Sequence, residues 1–228
     1  MTGLVLLSSN LQAQTTWYMT PTGTGARTGT SWSNAFSATS NPQMIDIISG
    51  TMQPGDTLLI GGALAASYVQ QPVTGTNTSY NLPPPGQDYR NRRVILPATA
   101  GGTLNAPKII KGVDRGFGLP IFFGIEKTPS YGAFELTGTC SYITFEDLDL
   151  RRREYGIQAR GTSHQGIVVR RVKSFLNTAA GFYFIHSDDL LLENCRAERY
   201  IKSGFKIYYG CDRVTIRDCI ADCTQGGK

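Results

Sequence analysis

From residue 132 onward, short stretches of alternating apolar and polar residues return about every 23–25 residues. Ile143-Thr-Phe-Glu-Asp-Leu-Asp-Leu150 is followed by Ile167-Val-Val-Arg-Arg-Val-Lys-Ser174, Leu190-Leu-Leu-Glu-Asn-Cys-Arg-Ala197 and Val214-Thr-Ile-Arg-Asp-Cys-Ile-Ala221, at offsets of 24, 23 and 24. The first, third, sixth and eighth positions are apolar or small, which describes a strand, a two-residue corner and a second strand. Asp147, Asn194 and Asp218 fall at the corner, where Asn and Asp tolerate left-handed backbone; Arg171 departs from that rule. A second set keeps the same phase: Gly132-Ala-Phe-Glu-Leu-Thr, Gly156-Ile-Gln-Ala-Arg, Gly181-Phe-Tyr-Phe-Ile and Gly204-Phe-Lys-Ile-Tyr-Tyr. A fixed period of this size means a solenoid. Helical i, i+3, i+4 spacing is absent from the repeat, so a helix in every turn does not fit. Several short strands per period predict an all-β chain wound as a parallel β-helix, one repeat per coil.

The N-terminal half reads as the entry to these coils. Asn41-Pro42 with Met44, Ile45, Ile47 and Ile48 predicts a short helix closed by Gly50, capping a sheet edge that would otherwise lie open. Pro54-Gly55-Asp56-Thr57 then turns into a strand over Leu58-Leu59-Ile60. Residues 70–105, with Pro83-Pro84-Pro85, read as a long loop around the strand Val94-Ile95-Leu96, and Ala106–Gly112 restarts the coils. Residues 1–14 read as the end of a truncated secretory signal, with the apolar run Gly3–Leu7 and a small residue at Ala13 suited to cleavage. One domain is expected over 15–228, with cap and first strands in 15–112 and regular coils in 113–228. Gly227 falls one period after Gly204, so further coils are expected beyond it.

Composition agrees. Charged residues make up 17% of the 228 residues, against about 25% in ordinary soluble domains, while Gly reaches 26. That excludes a coiled coil or a disordered tail. No apolar run approaches the ~18–20 residues of a membrane helix. The net charge of +5 suits an acidic partner, and with no dense basic stripe nucleic acid is not expected. Five cysteines, an odd number confined to the second half, do not make a disulfide scaffold. Cys195 and Cys219 share one inward column; Cys140 and Cys211 share another, three coils apart. His164 and His186 lack ligand spacing and read as turn residues. Arg151-Arg152-Arg153 reads as a solvated turn or a polyanion contact.

Stacking the Gly-led strands places Phe134/Leu136, Ile157/Ala159, Phe182/Phe184 and Phe205/Ile207 inward. One outward column is then Glu135, Gln158, Tyr183, Lys206, and its neighbour is Thr137, Arg160, Ile185, Tyr208. Tyrosines can stack on sugar rings, and Lys and Arg can hold uronate carboxylates. Asp188-Asp189 and Asp212 also stack one coil apart; such carboxylates either build a Ca²⁺ site or satisfy turn amides.

The chain resembles the secreted, right-handed parallel β-helix proteins of the pectate lyase superfamily. The similar residues are Trp17-Tyr18, Thr22-Gly23-Thr24-Gly25, Ser31-Trp32-Ser33-Asn34-Ala35, Pro54–Ile60 and Gly102–Lys111, followed by the coils. The resemblance is specific for fold and weak for activity, because that superfamily holds lyases, hydrolases, epimerases, tailspikes and adhesins. It implies a substrate groove on the face of the Gly-led strands and β-elimination on an acidic polysaccharide such as pectate. Gly204-Phe205-Lys206 is similar to the strand bearing the catalytic lysine of family 9 pectate lyases, which assigns Lys206 as base. Arg160 would then neutralise the carboxylate, and Glu135, Gln158, Tyr183 and Tyr208 would bind substrate. That family's calcium-ligating aspartates have no counterpart in Thr178-Ala179-Ala180 or Ile201-Lys202-Ser203. Polygalacturonase-type hydrolysis fits less well, since Asn177-Thr178 is followed by Ala179 and Gly-His-Gly is missing. The alternative is a non-catalytic adhesin or carbohydrate-binding β-helix, favoured by the short loops Arg151–Tyr155 and Arg199–Ser203. Either reading expects a monomeric, secreted or surface-located protein.

Overall fold

Asp147, Arg171, Asn194 and Asp218 each hold a left-handed backbone, with φ between 50° and 54°, and bend the chain at the same place in successive coils. The corner therefore tolerates an arginine. Arg171 donates from Nε to Asp147 Oδ1 of the preceding coil at 2.7 Å, an ion pair that helps hold the bend. A second corner uses Arg152, Leu176 and Arg199 in the same conformation. These are features of a computed structural model that describes residues 13–38, 41–62, 93–116, 118–124 and 132–223.

Between the corners the strands stack in parallel, coil on coil. The first sheet has eight strands, in the spatial order Phe36–Ser37, Thr16–Thr20, Thr57–Gly61, Lys108–Val113, Ile143–Glu146, Val168–Arg170, Leu191–Glu193 and Thr215–Arg217, all paired in parallel. The corner sheet stacks Ile121–Phe123, Asp149–Arg151, Lys173–Phe175, Arg196–Glu198 and Ile220–Asp222. A third face stacks the Gly-led strands described below, and a two-stranded pair joins His164–Gln165 to Ser187–Asp188. The architecture is an all-β parallel β-helix. The pairings keep the offsets of the repeat: Val168 pairs with Thr144 and Leu191, and Leu191 pairs with Thr215.

The core is a set of inward columns. Ile143, Phe145, Leu148 and Leu150 are fully buried, as the alternation requires. Phe134 packs between Phe122 and Phe145, with ring centroids 4.8 and 5.1 Å away. Each such ring removed from water contributes about 1.5–3 kcal/mol. Outward columns on the first sheet alternate in sign through Lys111, Glu146, Arg170, Glu193 and Arg217. Single exposed pairs contribute little; stacked opposite charges instead favour this register over a slipped one.

At the N-terminal end the predicted helix forms over Asn41–Asp46 and widens into a π-helical turn at Ile47–Thr51. Met44, Ile48 and Met52 seal the core there. Lys108, 2% exposed, donates from Nζ to the Ile48 carbonyl at 2.7 Å, and burial lowers its pKa. Asp56, also buried, ties the entry strand down. It accepts from Thr15 N (2.8 Å), Trp17 Nε1 (3.0 Å) and Gln53 N (2.9 Å). Most of the signal-peptide segment (1–12), residues 70–92 of the long loop expected over 70–105, and the tail at 224–228 lie outside the described residues.

Candidate functional site

The Gly-led sheet stacks Val94–Leu96, Gly132–Leu136, Tyr155–Ala159, Ala180–Ile185 and Ser203–Tyr208. Glycine recurs where this sheet runs close to its neighbours: a Cβ on Gly181 would lie 2.7 Å from both Ala197 Cβ and the Gly204 carbonyl oxygen. The expected phase needs one correction. Gly132 pairs with Tyr155, not with Gly156, and Ala133 takes the glycine place in that coil. The side-chain columns are unaffected, because Phe134, Ile157, Phe182 and Phe205 remain in register.

Along the outward face, Ile95, Glu135, Gln158, Tyr183 and Lys206 form one column, and Ile185 pairs with Tyr208 in the next. The structure draws some of these together. Tyr183 stacks on Tyr155 with ring centroids 5.2 Å apart and planes at 22°. The Arg160 guanidinium lies 5.1 Å from the Tyr155 ring and 5.4 Å from the Tyr183 ring. The Lys206 ammonium lies 5.0 Å from Tyr183 and 5.4 Å from Tyr208. Each cation thus bridges two tyrosines. Tyr208 is 60% exposed, so its ring remains open to a partner.

Glu135 and Gln158 are placed differently. The Glu135 carboxylate is nearly buried and accepts from Arg93 Nε at 2.8 Å. Gln158 is fully buried, with neither amide atom hydrogen-bonded; Glu154 Oε2 and Arg160 Nε are also buried without a partner. Tyr155, which alternation alone did not single out, completes the cluster. Burial, and then the Glu154 carboxylate, raise its pKa against the opposing pull of Arg160.

Charge balance sets this face apart. The outward cations on strands of the other two sheets are paired with acids: Lys111, Arg170 and Arg217 on the first sheet, and Arg151, Lys173 and Arg196 on the corner sheet. Among the described residues, Arg160 and Lys206 have rings where those have carboxylates.

The remaining candidates have structural partners. The Asp188 carboxylate accepts from Asp212 N at 2.9 Å, and Asp189 accepts from Arg213 Nε at 2.5 Å and Gln165 Nε2 at 3.1 Å. The hydrogen bond from Arg213 is the main reason the Asp189 pKa falls to about 2. No group of three or more His, Cys, Asp or Glu gathers as a metal site among the described residues. His164 is a buried strand residue and not a turn residue: its Nδ1–H donates to the Cys140 carbonyl at 2.9 Å, and burial lowers its pKa. Arg152 and Arg153 are likewise buried, contrary to the expected solvated turn. Arg152 covers the Phe123 ring at 5.5 Å, and Arg153 Nη2 donates to the Phe123 carbonyl at 3.1 Å. Cys195 packs inward beside Cys219, its N–H 3.4 Å from the Cys219 Sγ, and burial pushes its thiol up to about 12.

No protein-family model matches this sequence, and comparison with curated proteins returns no match. Three solved structures are similar in shape. The pectate lyase Pel9A gives a TM-score of 0.47 at 12% identity, over 86% of this chain and 51% of its own. The GH136 lacto-N-biosidase from Eubacterium ramulus gives 0.48 at 12%, over 90% of this chain and 40% of its own. The alginate lyase from Paenibacillus sp. str. FPU-7 gives 0.44 at 10%, over 90% of this chain and 66% of its own. The chain therefore spans about half the length of the pectate lyase.

Proposed function

We propose that the outer face of the Gly-led sheet takes an acidic, uronate-containing polysaccharide and cleaves it by β-elimination outside the cell. One observation carries the reading: among the described residues, Arg160 and Lys206 are cations that face tyrosine rings, whereas the outward strand cations of the other two sheets are paired with acids. Such cations keep their attraction for a carboxylate while the rings hold them in place. In the reaction, Lys206 acts in its neutral amine form: its lone pair takes the proton from C5, the carbon α to the carboxylate, and the ammonium so formed is the species the two rings hold. Arg160 balances the charge that develops on that carboxylate, and the electron pair forms the C4–C5 double bond as the glycosidic oxygen leaves and is protonated. Tyr208 offers a ring for the adjoining sugar. Glu135 and Gln158 continue the same column beneath the surface.

A second reading, binding without cleavage, is favoured by the two rings around Lys206, which attract an ammonium and so suit anion binding. The C4–C5 double bond absorbs in the ultraviolet, which separates the two readings. Protein would be incubated with polygalacturonate, alginate and chondroitin sulfate, with and without Ca²⁺, so that the same assay tests a calcium requirement. A rise in absorbance abolished by Lys206→Ala supports elimination with that base. A rise that survives it moves the base elsewhere, and bound polymer with no rise leaves the binding reading.

A further inference from the structure

We infer that Tyr155 is the positioning residue that makes Arg160 a carboxylate reader; this rests on the reading of the face given above and adds a residue to it. Arg160 follows the strand Tyr155–Ala159 at the end opposite Tyr155, yet its guanidinium lies only 5.1 Å from the Tyr155 ring. The side chain therefore folds back along its own strand. What receives it is a two-ring platform, because Tyr155 also stacks on Tyr183 of the next coil at 5.2 Å and the same guanidinium sits 5.4 Å from Tyr183. An arginine side chain loses substantial rotamer freedom when a ligand fixes it. Two rings supply that restraint before the ligand arrives, and they do so without neutralising the charge, as an acidic partner would. Tyr155 also stacks on Tyr183, whose ring lies 5.0 Å from the Lys206 ammonium, but Lys206 keeps a second ring in Tyr208 at 5.4 Å, so the restraint that depends on Tyr155 is the one on Arg160.

The other features of the molecule do not lead as far. The stacked thiols of Cys195 and Cys219 donate to main-chain carbonyls of Val169 and Leu192 and pack as small side chains. Arg115 over Trp32 at 4.5 Å forms a similar cation–ring contact near the entry strand, but among the described residues it has one ring face and no second cation.

The test is a double-mutant cycle on binding to polygalacturonate, with thermal unfolding recorded for each variant. Tyr155→Leu removes the platform and is expected to weaken binding about tenfold, from the loss of one desolvated cation–ring contact and of preorganisation. Tyr155→Phe, which keeps the ring, should recover most of that loss. On an Arg160→Gln background, Tyr155→Leu should have little further effect. A merely structural role gives a different pattern: Tyr155→Leu then weakens the Arg160→Gln protein by the same factor, and that result, or failure of Phe to rescue, overturns the inference. Wild-type protein that binds no acidic polymer would instead overturn the functional reading, and this inference with it.

Discussion

Asn177 offers a quantitative test of how the site strand is held. It is 1% exposed at the turn before the strand that carries Tyr183. Its Oδ1 accepts from Arg153 N in the preceding coil at 2.9 Å, and its Nδ2 donates to Ser174 Oγ, which in turn donates to the Gly181 carbonyl at 3.1 Å. Its own carbonyl accepts from Ile201 N of the following coil at 3.1 Å, so one residue links three coils. In Asn177→Ala the buried Arg153 N–H loses this acceptor, at about 1–3 kcal/mol, and Ser174 loses a donor worth about 1 kcal/mol, for a total near 3 kcal/mol. For a chain of this length that lowers the melting temperature by about 6–12 °C. Asn177→Asp keeps the acceptor but loses the donor and buries a carboxylate against the Ser174 oxygen, so it should cost at least as much as the alanine change. Circular dichroism melts and urea titrations of the three proteins measure both values. A loss below about 1 kcal/mol in the alanine variant, or an aspartate variant as stable as the native protein, would refute the assignment of this network as the brace between coils.

Other outcomes follow from the same structure. Asp56→Ala removes the acceptor of three hydrogen bonds; Thr15 and Gln53 are exposed and can turn to water, so the expected cost is about 2–3 kcal/mol, with a shift in tryptophan emission because Trp17 Nε1 loses its partner. His164 should make the fold acid-sensitive. Its folded pKa is lowered by burial, so below the unfolded value of about 6.5 the unfolded chain takes up a proton that the folded chain resists. Stability from this group is thus full above about pH 6.5 and falls as the pH drops toward the folded value; melts across that window should show the decline, and His164→Gln should flatten it. Phe182 stacks on Phe205 at 5.1 Å and 7°, and Phe182→Ala should cost about 3–5 kcal/mol in urea unfolding; a smaller cost would mean the coil collapses around the gap.

Much of this was legible in the sequence because strand alternation has a period of two and the repeat a fixed length. Those two facts fixed the inward columns and put Gln158, Tyr183 and Lys206 in one outward row, as the pairing shows. They could not show which outward residues meet above the sheet. Tyr155 sits at the start of its strand, where a turn and not alternation sets the side chain, so its stack on Tyr183 was not visible. Arg152 and Arg153 look solvated by composition, but the close approach of Phe123 and Gly124 buries them, which depends on neighbours about 30 residues away. Gln158 belongs to the outward row by alternation, and its burial likewise depends on what surrounds the strand. Arg171 at a left-handed corner broke a propensity rule because an ion pair to Asp147 supports it.

The central claim is that two ring-held cations receive an acidic polysaccharide. Affinity for polygalacturonate should be measured over a range of salt concentrations for wild type, Arg160→Gln, Lys206→Gln and the double variant. Each single variant is expected to weaken binding and flatten its salt dependence, and the double variant to lose nearly all of it. A double variant that binds as tightly as wild type, with the same salt dependence, would contradict the account.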